Sequence, residues 1–321
     1  MRKITFLLFA SLLALSIFSI NAFADNIDES EVKLSDIESI VLKHIEDNNL
    51  DIEMGTNEYV DYLMSVLIYD EDRKLTKNPY YEQILFYASE YIHQLDQSND
   101  IVTEENENDT IDIDIPYEST IEKLKAEIKQ EELESEQEIE EYKIINPVTI
   151  QPFAAYNRTA AANYAVKWYN GRNSKYNKHR LDCTNFVSQA VYAGGKSMKK
   201  PRTRPSGIKK TTSYWYSERY SLPHYNYGYR ESSSWVNVAD FKTYWAKTQK
   251  VVTSTSKTKI INNAKVGDVV QLKRARDGRW FHSMIVHKKS NETIYLAGHT
   301  RNTKNKPIKD ISASSFRVIK F

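Results

Sequence analysis

Apolar residues recur every three or four positions through the first third of the chain, between residues 32 and 95. This spacing places them on one side of an α-helix. Three stretches carry the pattern, and their apolar sides consist of Val32, Leu34, Ile37, Ile40, Val41, His44 and Ile45, then Tyr59, Leu63, Val66 and Leu67, then Tyr80, Ile84, Tyr87, Ala88 and Ile92. The pattern predicts a small helical module over residues 25–99.

The pattern weakens between residues 100 and 150. Residues 100–116 are acidic and rich in Asn and Thr without an apolar stripe, which predicts a linker. From Glu118 to Tyr142 the sequence is mostly Glu, Lys and Gln with sparse apolar positions, which is typical of a solvated helix, a spacer or a weakly specified coiled coil. Pro147 and Pro152 interrupt any helix, so we place a domain boundary near residue 150.

Residues 151–321 have a different pattern. Helical spacing predicts helices over 158–168, from Asp182 to Gly194-Gly195, and over 238–248. Alternating apolar residues then predict strands over 266–272, 282–287, 293–297 and 316–321, with an Asp277-Gly278 hairpin turn. Helices followed by an antiparallel sheet indicate an α+β domain, preceded here by a mainly helical region.

The first 24 residues have the pattern of a secretory signal peptide. Arg2 and Lys3 precede an apolar run from Phe6 to Ile20, and Ala22-Phe23-Ala24 offers a cleavage site after Ala24. The run is shorter than the roughly 20 residues of a spanning helix. We therefore expect a secreted protein, with an uncleaved N-terminal anchor as the alternative.

The net charge of +1 conceals two oppositely charged halves. Residues 25–150 contain 35 acidic and 9 basic residues, a net charge of −26, whereas residues 151–321 contain 8 acidic and 33 basic residues, a net charge of +25. A basic domain attracts polyanions such as cell-wall polymers. The acidic region could instead fold back on the basic domain, or both could be ordinary solvated surfaces.

Cys183 is the single cysteine of the chain, so it has no partner for an intramolecular disulfide. It stands where a polar segment passes into a predicted helix. A helix start stabilises a thiolate, which favours a nucleophile. A free cysteine is also often a small buried apolar residue. The cysteine alone leaves both interpretations open.

A thiol nucleophile needs a base, and the base needs an orienting group. His282 begins a predicted strand after the hairpin, and His299 follows the next strand, so the two could meet as base and orienting partner. Each could also be an ordinary structural histidine. The chain lacks the ligand spacings of structural zinc and a Gly-rich phosphate loop. We therefore expect no metal or other cofactor, and no nucleic-acid partner.

Four motifs in order resemble the putative amidase-domain family of bacteria. They are Asp182-Cys183-Thr184-Asn185-Phe186-Val187-Ser188-Gln189 with Gly194-Gly195, the Tyr156-Asn157-Arg158 helix, Gly267-Asp268 before His282-Ser283-Met284-Ile285-Val286, and His299-Thr300. The resemblance spans roughly residues 154–312. That family looks related to papain-like cysteine hydrolases, which include cell-wall endopeptidases. The resemblance therefore implies a papain-like catalytic domain.

The resemblance also implies roles for individual residues. Cys183 would be the nucleophile, His282 the general base and His299 the residue that orients the base. Asp182 would cap the helix. The Cys183 backbone N–H would stabilise the oxyanion, with Tyr176 and Asn177 as second donors.

These inferences predict a secreted, cysteine-dependent amidase or peptidase, whose partner is a peptide or amide substrate of the cell wall. The alternative is a non-catalytic module of the same fold that binds the cell wall or another surface.

Overall fold

The computed structural model describes residues 28–98, 111, 113–147 and 156–321. The predicted signal peptide, most of the predicted linker and the boundary near residue 150 lie outside these residues. No helix within the described ranges is long and apolar enough to cross a bilayer.

Four long helices form the acidic region. They are α1 (Leu34–Asp47), α2 (Asn57–Tyr69), α3 (Tyr81–Gln97) and α4 (Ile121–Ile145). Thr56 begins α2 because its hydroxyl accepts a hydrogen bond from the Tyr59 N–H, and Thr120 does the same for α4 through the Lys123 N–H. The structure thus contains the three predicted helices and the predicted Glu-rich helix.

Five helices and nine strands follow. The helices are α5 (Arg158–Trp168), α6 (Cys183–Ala193), α7 (Ser233–Val236), α8 (Val238–Ala246) and α9 (Lys257–Asn263). The strands are β1 (Gly207–Lys209), β2 (Ser217–Ser221), β3 (Tyr227–Ser232), β4 (Lys250–Ser254), β5 (Val269–Lys273), β6 (Trp280–Lys289), β7 (Ile294–Gly298), β8 (Thr303–Pro307) and β9 (Ser315–Lys320). The expected α+β class is confirmed.

Six of these strands form one antiparallel sheet in the order β4-β9-β5-β6-β7-β8. A separate three-stranded sheet in the order β1-β3-β2 lies in the stretch between α6 and α7, which the sequence pattern left without structure. The pattern also missed β4 and β8. Strands predicted from alternating apolar residues correspond to β5, β6, β7 and β9.

The six-stranded sheet buries apolar residues on both faces. We call the face toward α5 and α6 the inner face, and its residues in the core around Phe186 are Val269, Ile285, Ala297 and Ile319. The opposite, outer face contributes to one apolar cluster with the helices α1–α4, through Val270, Leu272, Met284, Val286, Leu296, Phe316 and Val318. The helices of the acidic region therefore form a structural layer over this face of the sheet.

Ion pairs between the two halves flank this apolar layer. Arg279 pairs with the buried Glu90 at 2.9 Å and also with Glu131. Other pairs join acidic side chains of the first 140 residues to basic side chains in or next to the sheet and α8: Asp70–Arg274, Glu71–Arg301, Glu132–Lys273, Glu136–Lys242 and Glu138–Lys247. The expected solvated helix, α4, thus lies with part of its acidic surface against basic side chains.

The family-like motifs at the start of α5 and before β5 are joined directly. The Tyr156 hydroxyl donates to the Gly267 carbonyl oxygen at 2.8 Å, and Arg158 pairs with the buried Asp268 at 2.7 Å. Gly194 at the end of α6 packs under the Tyr156 ring, where a Cβ would lie 2.2 Å from a ring carbon. These contacts fix the two helices α5 and α6 against the sheet.

We expect Arg279→Met to destabilise the full chain by about 3–5 kcal/mol, because it leaves the Glu90 carboxylate buried without its partner. The free energy of unfolding from urea titration measures the effect. Arg276→Met is the matched control three residues away: its side chain is 92% exposed, so a change within about 0.5 kcal/mol is expected. Equal losses in the two variants would contradict the role of the buried pair.

Candidate active site

Cys183 is the first residue of α6, as the sequence predicts, and its side chain is buried at 2% exposure. Its Sγ lies 3.7 Å from the Thr184 hydroxyl oxygen, and the Ser283 backbone N–H donates a hydrogen bond to it. Thr184 in turn lies 3.0 Å from the Ser283 hydroxyl. The start of α6 is therefore joined to the middle strand β6 around the sulfur atom.

Burial raises the pKa of the Cys183 thiol to about 12, and the Asp96 carboxylate contributes to the rise. The Ser283 N–H and the Thr184 hydroxyl offset only part of this effect. The thiol is therefore neutral near pH 7. The sequence predicts that the helix start stabilises the thiolate and so lowers the thiol pKa. Here the loss of solvent around the buried sulfur raises the pKa by more than the helix start lowers it.

Asp182 stands at the N-cap position of α6, but its side chain makes no capping hydrogen bond, so the expected role as a helix cap is wrong. Its buried carboxylate instead accepts hydrogen bonds from His299 Nδ1 at 2.5 Å and from the Asn185 amide at 2.7 Å. Arg172 Nε lies 3.0 Å from the same carboxylate. Burial alone would raise the pKa of Asp182, but His299 and Arg172 lower it overall.

His299 lies between two acceptors. Nδ1 faces the Asp182 carboxylate, and Nε2 lies 2.7 Å from the Trp168 carbonyl oxygen. Both partners are hydrogen-bond acceptors, so the ring bridges the Asp182 carboxylate and the Trp168 carbonyl. It also stacks on Phe186 of α6 at a centroid distance of 4.0 Å. His299 therefore holds the end of β7, the start of α6 and the end of α5 together.

His282 is buried on the outer face of β6. It pairs in register with Leu272 of that face, whereas the next residue, Ser283, points inward to Thr184. A Cβ built on Gly298 would lie 3.5 Å from His282 Nε2, so the glycine leaves room for the ring. Burial lowers the pKa of His282 to about 3, and the nearby His299 charge adds to the effect.

The structure does not join the three predicted catalytic residues by hydrogen bonds. Within the described part of the chain, His282 Nδ1 has no hydrogen-bond partner, and no hydrogen bond connects His282 with Cys183. The predicted pairing of His282 with His299 is not formed either, because Asp182 and Trp168 occupy both nitrogens of His299. The catalytic roles of Cys183 and His282 stay predictions.

A buried ion pair holds the loop that precedes Cys183. His179 lies 2.9 Å from Glu231, which also accepts hydrogen bonds from Asn177 and Ser217. Burial would lower the pKa of His179, but the Glu231 carboxylate raises it overall. The Asn177 amide is thus engaged with Glu231, and the Tyr176 ring stacks on Trp235. The predicted oxyanion roles of Tyr176 and Asn177 stay predictions.

Sequence reasoning missed the side chains that set the electrostatics of the site. Glu231 lies in β3 of the small sheet, which the sequence pattern left without structure, and Asp96 lies at the end of α3 in the acidic region. Glu231 is buried and Asp96 is half-buried, and both raise the pKa of His179. Neither carries a local sequence signal, because each meets its partner only after the chain folds.

Comparison with known proteins gives one family and two relatives. Residues 155–320, about half of the chain, match the family described as "Putative amidase domain". The uncharacterized protein YhbB of Bacillus subtilis (strain 168) is 31% identical over 141 residues, 44% of this chain and 40% of YhbB. The uncharacterized protein YjcM of the same organism is 26% identical over 212 residues, 60% of this chain and 45% of YjcM.

The matched regions therefore span less than half of each relative. No solved structure matches the chain significantly.

We expect Asp182→Asn to destabilise the protein by about 3–5 kcal/mol at pH 7, because Arg172 and His299 lose the buried carboxylate with which they pair. The pKa of Asp182 is lowered in the folded state, so its contribution is present above the ordinary value of 3.8 and is lost as the pH falls through the lowered value. The difference between wild type and variant should therefore shrink at acidic pH.

Urea titrations at pH 7 and pH 3.5 measure this difference. Asp277→Asn is the control, since its side chain is 66% exposed and should change stability little at either pH. An Asp182→Asn effect of the same small size would show that the buried pair does not hold the site.

Proposed function

Because the chain belongs to the putative amidase domain family, we propose that it hydrolyses amide bonds with the Cys183 thiol as nucleophile. The observation that carries the proposal is the position of Cys183. It opens α6, and its Sγ receives the Ser283 N–H from the facing strand. A helix start and a second backbone donor at the sulfur are the surroundings that acyl transfer by a thiol needs.

The proposed reaction has two steps. Sγ attacks the amide carbon, the C–N bond breaks, and the thiol proton leaves with the amine, so that a thioester to Cys183 remains. Water then cleaves the thioester and releases a carboxylic acid. The N–H groups of Cys183 and Ser283 are the proposed donors to the developing oxyanion. The reaction needs no cofactor.

His282 is the proposed base. Its ring is neutral at a pKa of about 3, and it directly precedes the residue whose N–H contacts Sγ. In the structure its ring lies on the outer face, so proton transfer requires local rearrangement at the start of β6. This part of β6 is irregular, since the register with β5 shifts between Leu272 and Lys273.

The end of α3 packs against the segment that leads into this site. Leu95 is 3% exposed, and Asp96 accepts a hydrogen bond from the Val238 N–H at 3.0 Å. Both line a small cavity that also reaches His179 and Leu181, four and two residues before Cys183. The acidic region is thus proposed to act as an intramolecular cover, and movement of the last turn of α3 would expose the thiol.

The proposed substrate is a peptide or amide of the cell wall, met outside the cell. Two features of the sequence support this proposal. The first 24 residues resemble a signal peptide, and residues 151–321 contain 33 basic but only 8 acidic residues. A papain-like arrangement of the domain is part of the same proposal.

Purified cell wall incubated with the full chain tests the activity. We expect new amino groups to appear with wild type, and to appear faster with Leu95→Ala, which loosens the end of α3. Cys183→Ala should release none, and His282→Gln should be slower by about 10²- to 10⁴-fold, as for loss of a general base. Mass spectrometry of a trapped thioester locates the acyl group.

No release from either wild type or Leu95→Ala, or equal release from Cys183→Ala, would overturn the proposed activity.

The buried, neutral thiol favours the second candidate, a non-catalytic wall-binding module. That candidate predicts sedimentation with cell wall without release of amino groups, and equal sedimentation of the Cys183→Ala variant.

Alkylation of Cys183 tests the cover. A pKa near 12 leaves roughly a thousandfold less thiolate at pH 8 than an ordinary cysteine has, so iodoacetamide should react slowly with the native chain. Leu95→Ala should speed the reaction at least tenfold because it frees the end of α3. Leu63→Ala, in the core of α2, is the control for general destabilisation. Equal acceleration by both variants would mean that the thiol is exposed only by global unfolding.

A further inference from the structure

We propose that Arg317, Gln271 and Ser283 are positioning residues that direct the Thr184 hydroxyl hydrogen at the Cys183 sulfur. We call Arg317, Gln271, Ser283 and Thr184 the polar row. The proposal deepens the proposed function and rests on it, because it gives the proposed nucleophile a side-chain donor besides the backbone N–H groups.

The polar row crosses three neighbouring strands of the large sheet. Gln271 of β5 lies opposite Ser283 of β6 and opposite Arg317 of β9 in the strand registers. Gln271 and Arg317 each stand between two residues of the outer face, so alternation places them on the inner face with Ser283. Opposite side chains on one face have Cβ atoms roughly 5 Å apart, within reach of direct hydrogen bonds.

The orientation of the Gln271 amide is determined from two sides. A guanidinium donates and does not accept, so the Gln271 side-chain oxygen faces Arg317 Nε, at 2.6 Å. A carbonyl oxygen accepts and does not donate, so the Gln271 NH₂ group faces the Val238 carbonyl, at 2.9 Å. The same NH₂ group lies 3.0 Å from the Ser283 hydroxyl and therefore donates to it.

This orientation determines where the two hydroxyl hydrogens point. Among the described side chains, Ser283 Oγ has Gln271 as its donor and Thr184 Oγ1 at 3.0 Å as its other partner. Thr184 Oγ1 in turn has Ser283 and, at 3.7 Å, the Cys183 sulfur. If Thr184 donated to Ser283, the Ser283 hydrogen would be buried without an acceptor, which is costly. Both hydrogens find acceptors when Ser283 donates to Thr184 and Thr184 donates to the sulfur.

Arg317 begins the polar row at a place where a guanidinium is costly. Its side chain is 5% exposed, and its Nη2 has no hydrogen-bond partner among the described residues. Burial lowers its pKa to about 9, although Glu132 and Glu136 of α4 oppose the fall, so the group stays protonated near pH 7. A buried cation that donates to a neutral amide is weak evidence for stability. We attribute its retention to the direction that it imposes on Gln271.

The direction of the polar row suits the ionised form of the sulfur. A thiolate accepts hydrogen bonds and cannot donate one. Because Thr184 already donates to Sγ before the thiol proton leaves, no hydroxyl has to turn when the nucleophile forms. The residues of the polar row therefore act on Cys183 through Thr184.

The S–H stretching band of the full-length protein tests this direction. The protein has one cysteine, so its infrared spectrum contains one such band, whose frequency falls when the S–H group donates a hydrogen bond. Gln271→Glu has nearly the same shape, but its carboxylate accepts and does not donate. Ser283 must then donate to the carboxylate, Thr184 to Ser283, and the Cys183 thiol to Thr184. We expect the band to move to lower frequency and to broaden.

Gln189→Glu is the matched control, because it introduces the same charge at a buried glutamine of α6 outside the polar row. Its band should stay at the wild-type frequency. Thr184→Val keeps the test decisive if Gln271→Glu does not fold. We expect no rise in frequency in this variant, because the wild-type thiol does not donate to Thr184.

An unchanged band in Gln271→Glu, an equal shift in Gln189→Glu, or a higher frequency in Thr184→Val would overturn the proposed direction. Where wild type releases amino groups from cell wall, Gln271→Glu should release them about tenfold more slowly than Gln189→Glu, and equal rates would overturn the positioning role. The proposed hydrolysis fails by a different observation, the absence of released amino groups, which leaves the infrared result intact. The two failures are therefore distinguishable.

Discussion

The whole structure depends on covering both faces of one antiparallel sheet. A sheet whose central strands are apolar on both sides cannot leave either face to water, because each buried leucine or isoleucine contributes roughly 1.5–3 kcal/mol. The helices α5 and α6 cover the inner face, and the acidic helices cover the outer face around Met284 and Phe316. The opposite charges of the two halves then lie against each other at the rim of this contact.

This arrangement explains why the site has its particular electrostatics. The sulfur of Cys183 lies where the start of α6 meets β6, and it is buried there. The same burial keeps the thiol and the His282 imidazole neutral, while the pKa values of the Asp182 and Glu231 carboxyl groups stay low because each has hydrogen-bonding partners. The neutral state of Cys183 and His282 thus comes from burial without a charged partner, and the ionised state of Asp182 and Glu231 from burial with partners.

Local patterns in the sequence predicted the elements that position the site. Helical spacing located α5 and α6, and Asp182 marked the start of α6. Alternation located β5, β6 and β7. Strand β8 was not predicted because Thr303–Pro307 is mostly polar. The small sheet was not predicted because its strands are rich in Tyr, Arg and Ser. These strands form through pairing with neighbours, which a single-strand pattern does not record.

The contacts across the site could not be predicted in the same way. Asp182 meets His299 117 residues away, and Arg279 meets Glu90 189 residues away. Such pairs depend on tertiary packing and leave no periodic signal. The strand parity that places His282 on the outer face depends on the register with Leu272. The resemblance to the amidase-domain family indicated the candidate residues, and the register between β5 and β6 determines on which face of the sheet His282 lies.

The neutral state of Cys183 has a consequence for chemical durability. Peroxides and foreign disulfides react with the thiolate, so a sulfur with a pKa near 12 is slow to form sulfenic acid or a mixed disulfide. A lone cysteine that stays reduced in this way can survive an oxidising environment without a reductase to regenerate it.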